Sequence, residues 1–236
     1  MTAQEPTERE DFYLLPEMQV WTPEGYRPCP RYIAKTKMTN PDGTVMVSKT
    51  FPEFDIEAEK QRARRPTSGE WHVIRRWAER ECPELEQNMI TGKYELTTTM
   101  ADQDRDIVYQ HPEHDEAGNL LVEPISMDRI GQNVLYVPDL RLKAKDAWKM
   151  KLPKESAYVK NLPDEFDMFL DTLYGEENAR EDLPDYAFLS VFPNGLIAVL
   201  RGGWRWPARG GRVSVDAGCW PFGRAGGVSS RVVMDE

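Results

Sequence analysis

The chain has 236 residues and a formal net charge of -10, with 40% hydrophobic, 30% charged and 10% aromatic residues. This composition is that of a globular protein with a sizeable core and excludes a chain that is disordered throughout. The negative charge argues against wrapping nucleic acid or covering an anionic membrane, because both need an excess of Lys and Arg. We expect a single folded domain over residues 12–236, preceded by a flexible arm at residues 1–11.

The charge is unevenly distributed along the chain. Residues 201–236 contain six Arg and three acidic residues and so carry +3, which leaves -13 on residues 1–200. No apolar run reaches the roughly 18 residues of a membrane-spanning helix, and the polar, acidic start does not resemble a secretory signal. We therefore expect no membrane insertion and no signal peptide, and a cationic segment on an acidic body.

Four short apolar runs in the first fifty residues have the length and composition of strands. They are residues 12–15, 18–21, 31–34 and 44–47. The last two flank Asn40-Pro41-Asp42-Gly43, a turn in which Gly43 can adopt positive φ, so we expect them to pair as a hairpin. An irregular loop with chance alternation is the alternative.

The segment from Arg65 to Trp71 predicts the start of a helix. Thr67 can cap the helix and Glu70 can reach back to the Thr67 amide, which is the capping-box arrangement. The residues expected on the buried face are Trp71, Val73, Ile74, Trp77 and Ala78. Those expected in solvent are Arg75, Arg76, Glu79 and Arg80. The helix should end near Cys82, ahead of Pro83.

The middle of the chain is less regular. Residues 94–99 have strand propensity, whereas residues 102–116 read as a polar loop that holds His111 and His114. An H-x-x-H pair can bind a metal, but further ligands at a recognised spacing are missing, so a solvated acidic loop is favoured. Strands are expected at residues 120–122 and 134–137. For the basic run at residues 141–160, a solvated helix or hairpin is favoured over a nucleic-acid surface.

The last third combines one helix with several strands. Residues 164–174 place four large apolar residues on one face, with acidic residues at the start and Gly175 as the stop, which predicts a helix. Strands are expected at residues 186–192, 196–200, 213–215 and 228–234. We expect them to be antiparallel, with the first two joined as a hairpin by Pro193-Asn194-Gly195 and a break at Gly202-Gly203.

Three motifs resemble one known family when they are taken in order. They are Arg65-Pro66-Thr67-x-x-Glu70-Trp71, Val199-Leu200-Arg201-Gly202-Gly203-x-x-Trp206 and Gly227-Val228-x-x-Arg231-Val232-Val233. Together they resemble the formylglycine-generating-enzyme-like branch of the C-type lectin fold. This resemblance implies an α+β fold with antiparallel strands, two main helices and long irregular loops. The chain departs from the family pattern in lacking Leu before Pro66, in an extra residue before Trp206, and in lacking Gly-Phe before Arg231.

The enzymes of this family need residues that the chain does not carry. The formylglycine-generating oxidases have two nearby cysteines after the Gly-Gly pair, whereas only Cys219 lies in that segment here. The iron-dependent sulfoxide synthases need a His-x-x-x-His-x-Glu type cluster, which His72, His111 and His114 do not form. Cys29 and Cys82 have no paired spacing for zinc or disulfides. We expect no catalytic residue, no cofactor and no metal.

The remaining branch of the family is the variable proteins of diversity-generating retroelements, in which a diversified segment binds ligands. The resemblance implies such a segment at residues 202–231, with Gly202, Gly203 and Trp206 as framework. The candidate contact residues are enriched in aromatic and Arg side chains, the types that dominate binding hot spots. They are Trp204, Arg205, Arg209, Arg212, Ser214, Asp216, Cys219, Trp220, Phe222 and Arg224. Exposure and core burial are both left open for Trp204, Trp220 and Phe222.

The resulting hypothesis is a binding protein with a receptor-binding or adhesion role on a virion or a cell surface. Its ligand would be a protein or another macromolecule of acidic character, because the segment is cationic. Nucleic acid is not expected as a partner, because the chain as a whole is acidic. An oligomer is compatible with this role. The alternatives are an oxidase of the formylglycine-generating type and a structural component of a viral tail or virion.

Overall fold

The structure is a computed structural model, and it has a mixed α+β architecture. It describes residues 10–22, 25–90, 94–102, 104–112, 134–136, 187–189, 196–204, 212–219 and 228–235. The helices in these ranges are α1 (Phe51–Lys60), α2 (Ser68–Glu81) and α3 (Pro83–Ile90). The strands are β1 (Phe12–Leu14), β2 (Gln19–Thr22), β3 (Gly25–Pro28), β4 (Tyr32–Ala34), β5 (Glu95–Asp102), β6 (Ile107–Tyr109), β7 (Val134–Tyr136), β8 (Ala187–Leu189), β9 (Leu196–Trp204), β10 (Arg212–Cys219) and β11 (Val233–Met234).

A three-stranded antiparallel sheet brings residues near 12 and residues near 233 together, in the order β1-β4-β11. Ile33 of β4 lies opposite Tyr13 on one side and Val233 on the other. Ile33 and Val233 are fully buried and pack in one cluster with Trp71 of α2. The strands predicted near the start are confirmed as β1 and β2, and β2 pairs with β3 as a hairpin.

The Asn-Pro-Asp-Gly turn forms as predicted, but the strands around it pair differently. Gly43 has a φ of 80°, and a bridge between Thr39 and Val45 closes the turn. The run at residues 31–34 pairs as β4 with β1 and β11 instead of with residues 44–47. The predicted hairpin partner was therefore wrong, because β4 pairs along both of its edges with the apolar strands β1 and β11.

The larger sheet has six strands in the order β7-β6-β5-β9-β10-β8. All neighbours are antiparallel except β8 and β10, which run parallel. The hairpin expected between residues 186–192 and 196–200 does not form, because β9 lies between β5 and β10 while β8 lies beyond β10. The prediction of purely antiparallel strands in this region was wrong for that pair.

Strand β9 continues through Gly202-Gly203, where we expected a break. Gly202 lies opposite Ser214 and Gly203 lies opposite Val213, so both glycines belong to the ladder with β10. Glycine weakens a strand interior, but pairing with a neighbouring strand can hold it in place. Trp204 therefore ends a paired strand and does not open a loop.

Helix α2 begins with the capping box that the sequence predicts. The Thr67 hydroxyl accepts a hydrogen bond from the Glu70 amide at 3.1 Å. The Glu70 carboxylate accepts one from the Thr67 amide at 2.8 Å. The helix ends at Glu81, with Cys82 as its C-cap, as expected.

The buried face of α2 is wider than the pattern indicates. Trp71, Ile74 and Ala78 are fully buried as predicted, whereas Val73 and Trp77 are half-buried. Arg75 and Arg76, which were expected in solvent, are also half-buried, because α3 packs against α2, whereas Glu79 and Arg80 are exposed as predicted. Glu86 of α3 lies 3.6 Å from the guanidinium of Arg75.

Helices α1 and α3 were not predicted. Helix α1 has a capping box of its own, in which Thr50 and Glu53 exchange hydrogen bonds of 3.3 and 2.7 Å. Phe51 and Phe54 of α1 pack with Leu96 of β5 in a second core cluster. Helix α3 adds Leu85 and Met89 to the cluster around Trp71.

The polar segment after residue 102 folds back as a strand instead of forming the loop that we predicted. Strand β6 pairs with β5, with Ile107 opposite Asp102. The Asp102 carboxylate accepts hydrogen bonds from the amides of Asp104 and Arg105 and so shapes the turn. Val108 is fully buried, which gives this short strand a reason to pair. The strands predicted at residues 94–99 and 134–137 are confirmed as β5 and β7.

Other predictions fall outside the described residues. They concern the loop residues 113–116, the strand at 120–122, the basic run at 141–160 and the helix at 164–174. In the part of the chain that the structure describes, no helix is long and apolar enough to cross a membrane.

Residues Val228–Asp235, which we call the C-terminal strap, run through the core. Every strap residue from Val228 to Met234 is buried. The Ser229 amide donates to the carbonyl of Tyr94, and the Ser229 carbonyl accepts from Leu96, so the strap joins β5. Val233 exchanges backbone hydrogen bonds of 2.7 and 3.0 Å with Arg64. Only Val233–Met234 of the strand predicted at 228–234 is strand, as β11.

Candidate functional site

The candidate contact residues that the structure describes lie on β9 and β10. Trp204, the last residue of β9, is the register partner of Arg212, the first residue of β10. Ser214 lies opposite Gly202, and Asp216 lies opposite Leu200. The register shifts after Asp216, and Cys219 lies opposite Ala198. Trp204 and Arg212, which flank residues 205–211 in sequence, are thus neighbours in the ladder.

The polar and apolar residues of β10 alternate. Arg212, Ser214 and Asp216 occupy every second position, and the positions between them hold Val213 and Val215. Successive positions of a strand lie on opposite faces of the sheet. The polar positions therefore share one face, and their β9 partners, which include Trp204, share it with them.

Contacts of β5 show that helices cover both of its faces. Glu95 is buried and accepts a hydrogen bond from the indole nitrogen of Trp71 in α2 at 2.9 Å. Glu95 is the register partner of Arg201 in β9, which in turn lies opposite Val215. Both α2 and α3 contact β9. The positions of Arg201 and Val215 therefore lie on the side of α2 and α3. Asp216 pairs with Leu200, whose partner Leu96 packs against α1, so the side of the polar positions is covered by α1 at that end of the ladder.

Five candidate contact residues and one framework residue lie outside the described residues. They are Arg205, Arg209, Trp220, Phe222, Arg224 and Trp206. The structure therefore brings Trp204, Arg212, Ser214 and Asp216 together by register, and the positions of the others stay predictions. The last four residues of the candidate segment, 228–231, are buried, so they belong to the core and not to an exposed face.

A buried charge network fixes the strap next to β5. Arg231 has no exposed surface and donates to the Glu95 carboxylate at 3.1 Å and to the carbonyl of Ala34 at 2.6 Å. It also donates to the side chain of Asn88 in α3. Glu95 therefore links β5, α2 and the strap, and its own register partner is in β9. Sequence reasoning missed Glu95, although an isolated acid within a β-prone run was a signal.

Lys37 is a second buried cation at this network. Its ammonium lies 3.8 Å from the Glu95 carboxylate, and its side chain is 9% exposed. Burial lowers the pKa of Lys37, and the neighbouring Glu95 opposes that shift. Two cations thus lie near one carboxylate in the core.

A second ionic cluster joins the strap to the start of α2. Arg64 donates to both oxygens of Glu70, each at 2.8 Å, and to both oxygens of Asp235. Desolvation opposes the ionisation of Glu70, but Arg64 outweighs it and lowers the pKa of Glu70 to about 2. The carboxylate that caps α2 is therefore ionised at neutral pH.

The charged side chains of this cluster influence the pKa of His111. Desolvation lowers the pKa of His111 to about 4, with Glu70 opposing the shift. The imidazole is therefore neutral at pH 7. The other member of the H-x-x-H pair, His114, lies outside the described residues. Among the side chains that the structure describes, no group of three His, Cys, Asp or Glu residues is placed to hold a metal ion.

Comparison of the chain with models of known protein families, with curated proteins and with solved structures finds no match. The architecture and the site geometry therefore carry the functional argument by themselves.

An open cavity of about 800 Å³ lies between β2, β3 and β4. Its described lining residues are Glu17, Met18, Gln19, Pro28, Cys29, Arg31, Tyr32 and Asp235. Burial raises the pKa of Cys29 to about 12, so this thiol is protonated at neutral pH and is a poor nucleophile. Among these described lining residues there is no candidate contact residue.

Proposed function

We propose that the chain is a ligand-binding protein with a C-type-lectin-like scaffold, whose segment at residues 202–231 contacts a macromolecular ligand. In this proposal the segment is diversified by a retroelement, and the protein serves receptor binding or adhesion. No residue has a catalytic role, and no cofactor or metal takes part.

The observation that carries the proposal is the division of the β9–β10 ladder into two faces. The positions of Trp204, Arg212, Ser214 and Asp216 lie on the side away from α2 and α3. On this side α1 packs against Leu96, next to Leu200 and Asp216, so the contact surface is expected at the Trp204–Arg212 end of the ladder. An aromatic residue beside an arginine gives a large contact area and forked hydrogen bonds, which suits protein recognition. The alternate positions of β10, Val213 and Val215, are apolar and lie on the side of α2 and α3. The residues proposed for recognition can therefore change while the residues that face these two helices stay constant.

The buried strap supports the same proposal. Arg231 and Val233 fix the chain at the end of the candidate segment, and pairing with β5 fixes β9 at its start. A segment held at both ends on a rigid sheet loses little conformational entropy on binding. The ladder therefore provides a preorganised base for the contact residues.

The retroelement part of the proposal is tested in the coding DNA. We expect a near-copy of the segment that encodes Gly202 to Arg231, with differences confined to template adenines, beside a reverse transcriptase gene. If the DNA contains no such copy, the diversification claim fails, while the binding claim remains to be judged by direct measurement.

The acidic character of the ligand is tested with an immobilised polyglutamate surface as the probe. The wild-type protein should bind at low salt and elute as the ionic strength rises, because the Debye length shortens to about 8 Å at 0.15 M. Replacing Arg205 and Arg209 by Ser should lower retention at least fivefold. The matched control replaces the exposed Arg27 and Arg80 by Ser and should retain wild-type binding. Equal losses in both variants would contradict a specific cationic segment.

The oxidase alternative is tested with a cysteine-containing peptide in the presence of copper or iron. We expect no oxidation of the peptide thiol above the rate of the free metal. Activity that disappears in Cys219→Ala would overturn the binding proposal in favour of the enzyme.

A further inference from the structure

The C-terminal strap completes the core of residues 10–112, which form the body of the protein and lie far from the strap in sequence. Val228 and Val232 belong to the cluster around Phe54, and Val233 belongs to the cluster around Trp71. One segment of eight residues thus contributes to both of the clusters that hold the three helices.

The strap also satisfies polar groups that would otherwise be buried without partners. Arg231 is the guanidinium partner of Glu95, whose side chain is 1% exposed. Ser229 pairs with the backbone of Tyr94 and Leu96, and the Ser230 hydroxyl donates to the Leu96 carbonyl at 2.9 Å. A buried carboxylate and buried backbone groups without partners strongly disfavour the folded state.

The position of the strap along the chain gives this arrangement a further role. The strap contains the last four residues of the candidate binding segment and continues beyond it, so a stop codon or frameshift earlier in that segment removes the strap. We propose that the strap is a folding checkpoint, which lets the body at residues 10–112 fold only when the candidate binding segment has been translated in frame. The benefit of the checkpoint rests on the proposed diversification of the segment. The dependence of folding on the strap does not rest on it.

The test compares two truncated chains with the full-length protein. A stop codon after Gly227 removes the strap, and a stop codon after Asp235 removes only Glu236 as the matched control. Soluble yield and amide hydrogen exchange of α2 and β5 are measured for each chain. We expect the first truncation to lose at least tenfold in soluble yield or to lose exchange protection in α2 and β5, whereas the second keeps both.

A third variant separates specific contacts from the mere presence of an apolar tail. It keeps the composition of residues 228–235 but scrambles their order, so that Arg231 and Val233 are displaced. We expect it to behave like the truncation after Gly227. Wild-type protection of α2 and β5 in either the truncated or the scrambled chain would overturn the checkpoint. These measurements need no ligand, so a failure of the proposed binding function leaves their outcome unchanged.

Discussion

Replacing Arg231 by Met removes the central cation of the buried network while keeping much of the side-chain volume. Arg231 is fully buried, and its guanidinium lies 3.1 Å from the Glu95 carboxylate. Removing one member of a buried ion pair costs about 3–5 kcal/mol, because the remaining charge has lost its partner. Lys37 remains 3.8 Å from Glu95 and compensates part of that charge. We therefore expect a loss near the lower end, about 3 kcal/mol.

Urea unfolding followed by tryptophan fluorescence measures this loss as a lower midpoint at an unchanged slope. In a domain of this size a loss of about 3 kcal/mol lowers Tm by roughly 6–12 °C. The control Arg231→Lys keeps the charge and should lose less. In the double variant Glu95→Gln with Arg231→Met the losses should be less than additive, because both substitutions remove the same ion pair. A loss below about 1 kcal/mol for Arg231→Met, or strictly additive losses in the double variant, would refute the reasoning.

Four further predictions concern single sites. Thr67→Ala removes the cap of α2 and should lower the free energy of unfolding by about 1 kcal/mol in urea titrations; an unchanged midpoint would contradict the role of the capping box. The folded-state pKa of His111 is about 4, below its ordinary value of 6.5, so protons bind preferentially to the unfolded chain as the pH falls between these values. Stability is therefore fully present above pH 6.5 and should fall by roughly 2–3 kcal/mol towards pH 4, a slope that His111→Gln should flatten. Arg62 has a φ of 53° just after α1, so Arg62→Gly should raise stability by about 1 kcal/mol in the same titration, and a loss would show that its side chain matters more than its backbone. Trp220→Ala should leave the thermal midpoint nearly unchanged, whereas a large drop would place this side chain in the core.

Elements defined by local signals could be predicted from the sequence. Helix α2 follows from Thr67 and Glu70 at its start and from apolar residues at helical spacing, all within fifteen residues. The same Thr-x-x-Glu arrangement at Thr50 and Glu53 marks α1, where Pro52 fits the first turn of a helix. That signal was present in the sequence and was not used.

Pairing between distant strands could not be predicted in the same way. Glu95 and Arg231 are 136 residues apart, and neither residue carries a local sign of its partner. The parallel neighbour of β10 and the continuation of β9 through Gly202-Gly203 both depend on which strands meet in the sheet. The alternation of polar and apolar residues in β10 can be seen in the sequence. The side of the sheet on which the polar positions lie follows only from the contact between Glu95 and Trp71.

The two strands that carry candidate contact residues both lie inside the sheet. β9 has β5 and β10 as neighbours, and β10 has β9 and β8. Unpaired strand edges are the usual starting points of intermolecular β-pairing and aggregation, whereas an interior strand already uses its main-chain groups on both sides. Asp216 pairs with Leu200 of β9 and Phe188 of β8, so a substitution there changes a side chain without creating an edge. A surface built on interior strands can vary widely in sequence and still resist association through its backbone.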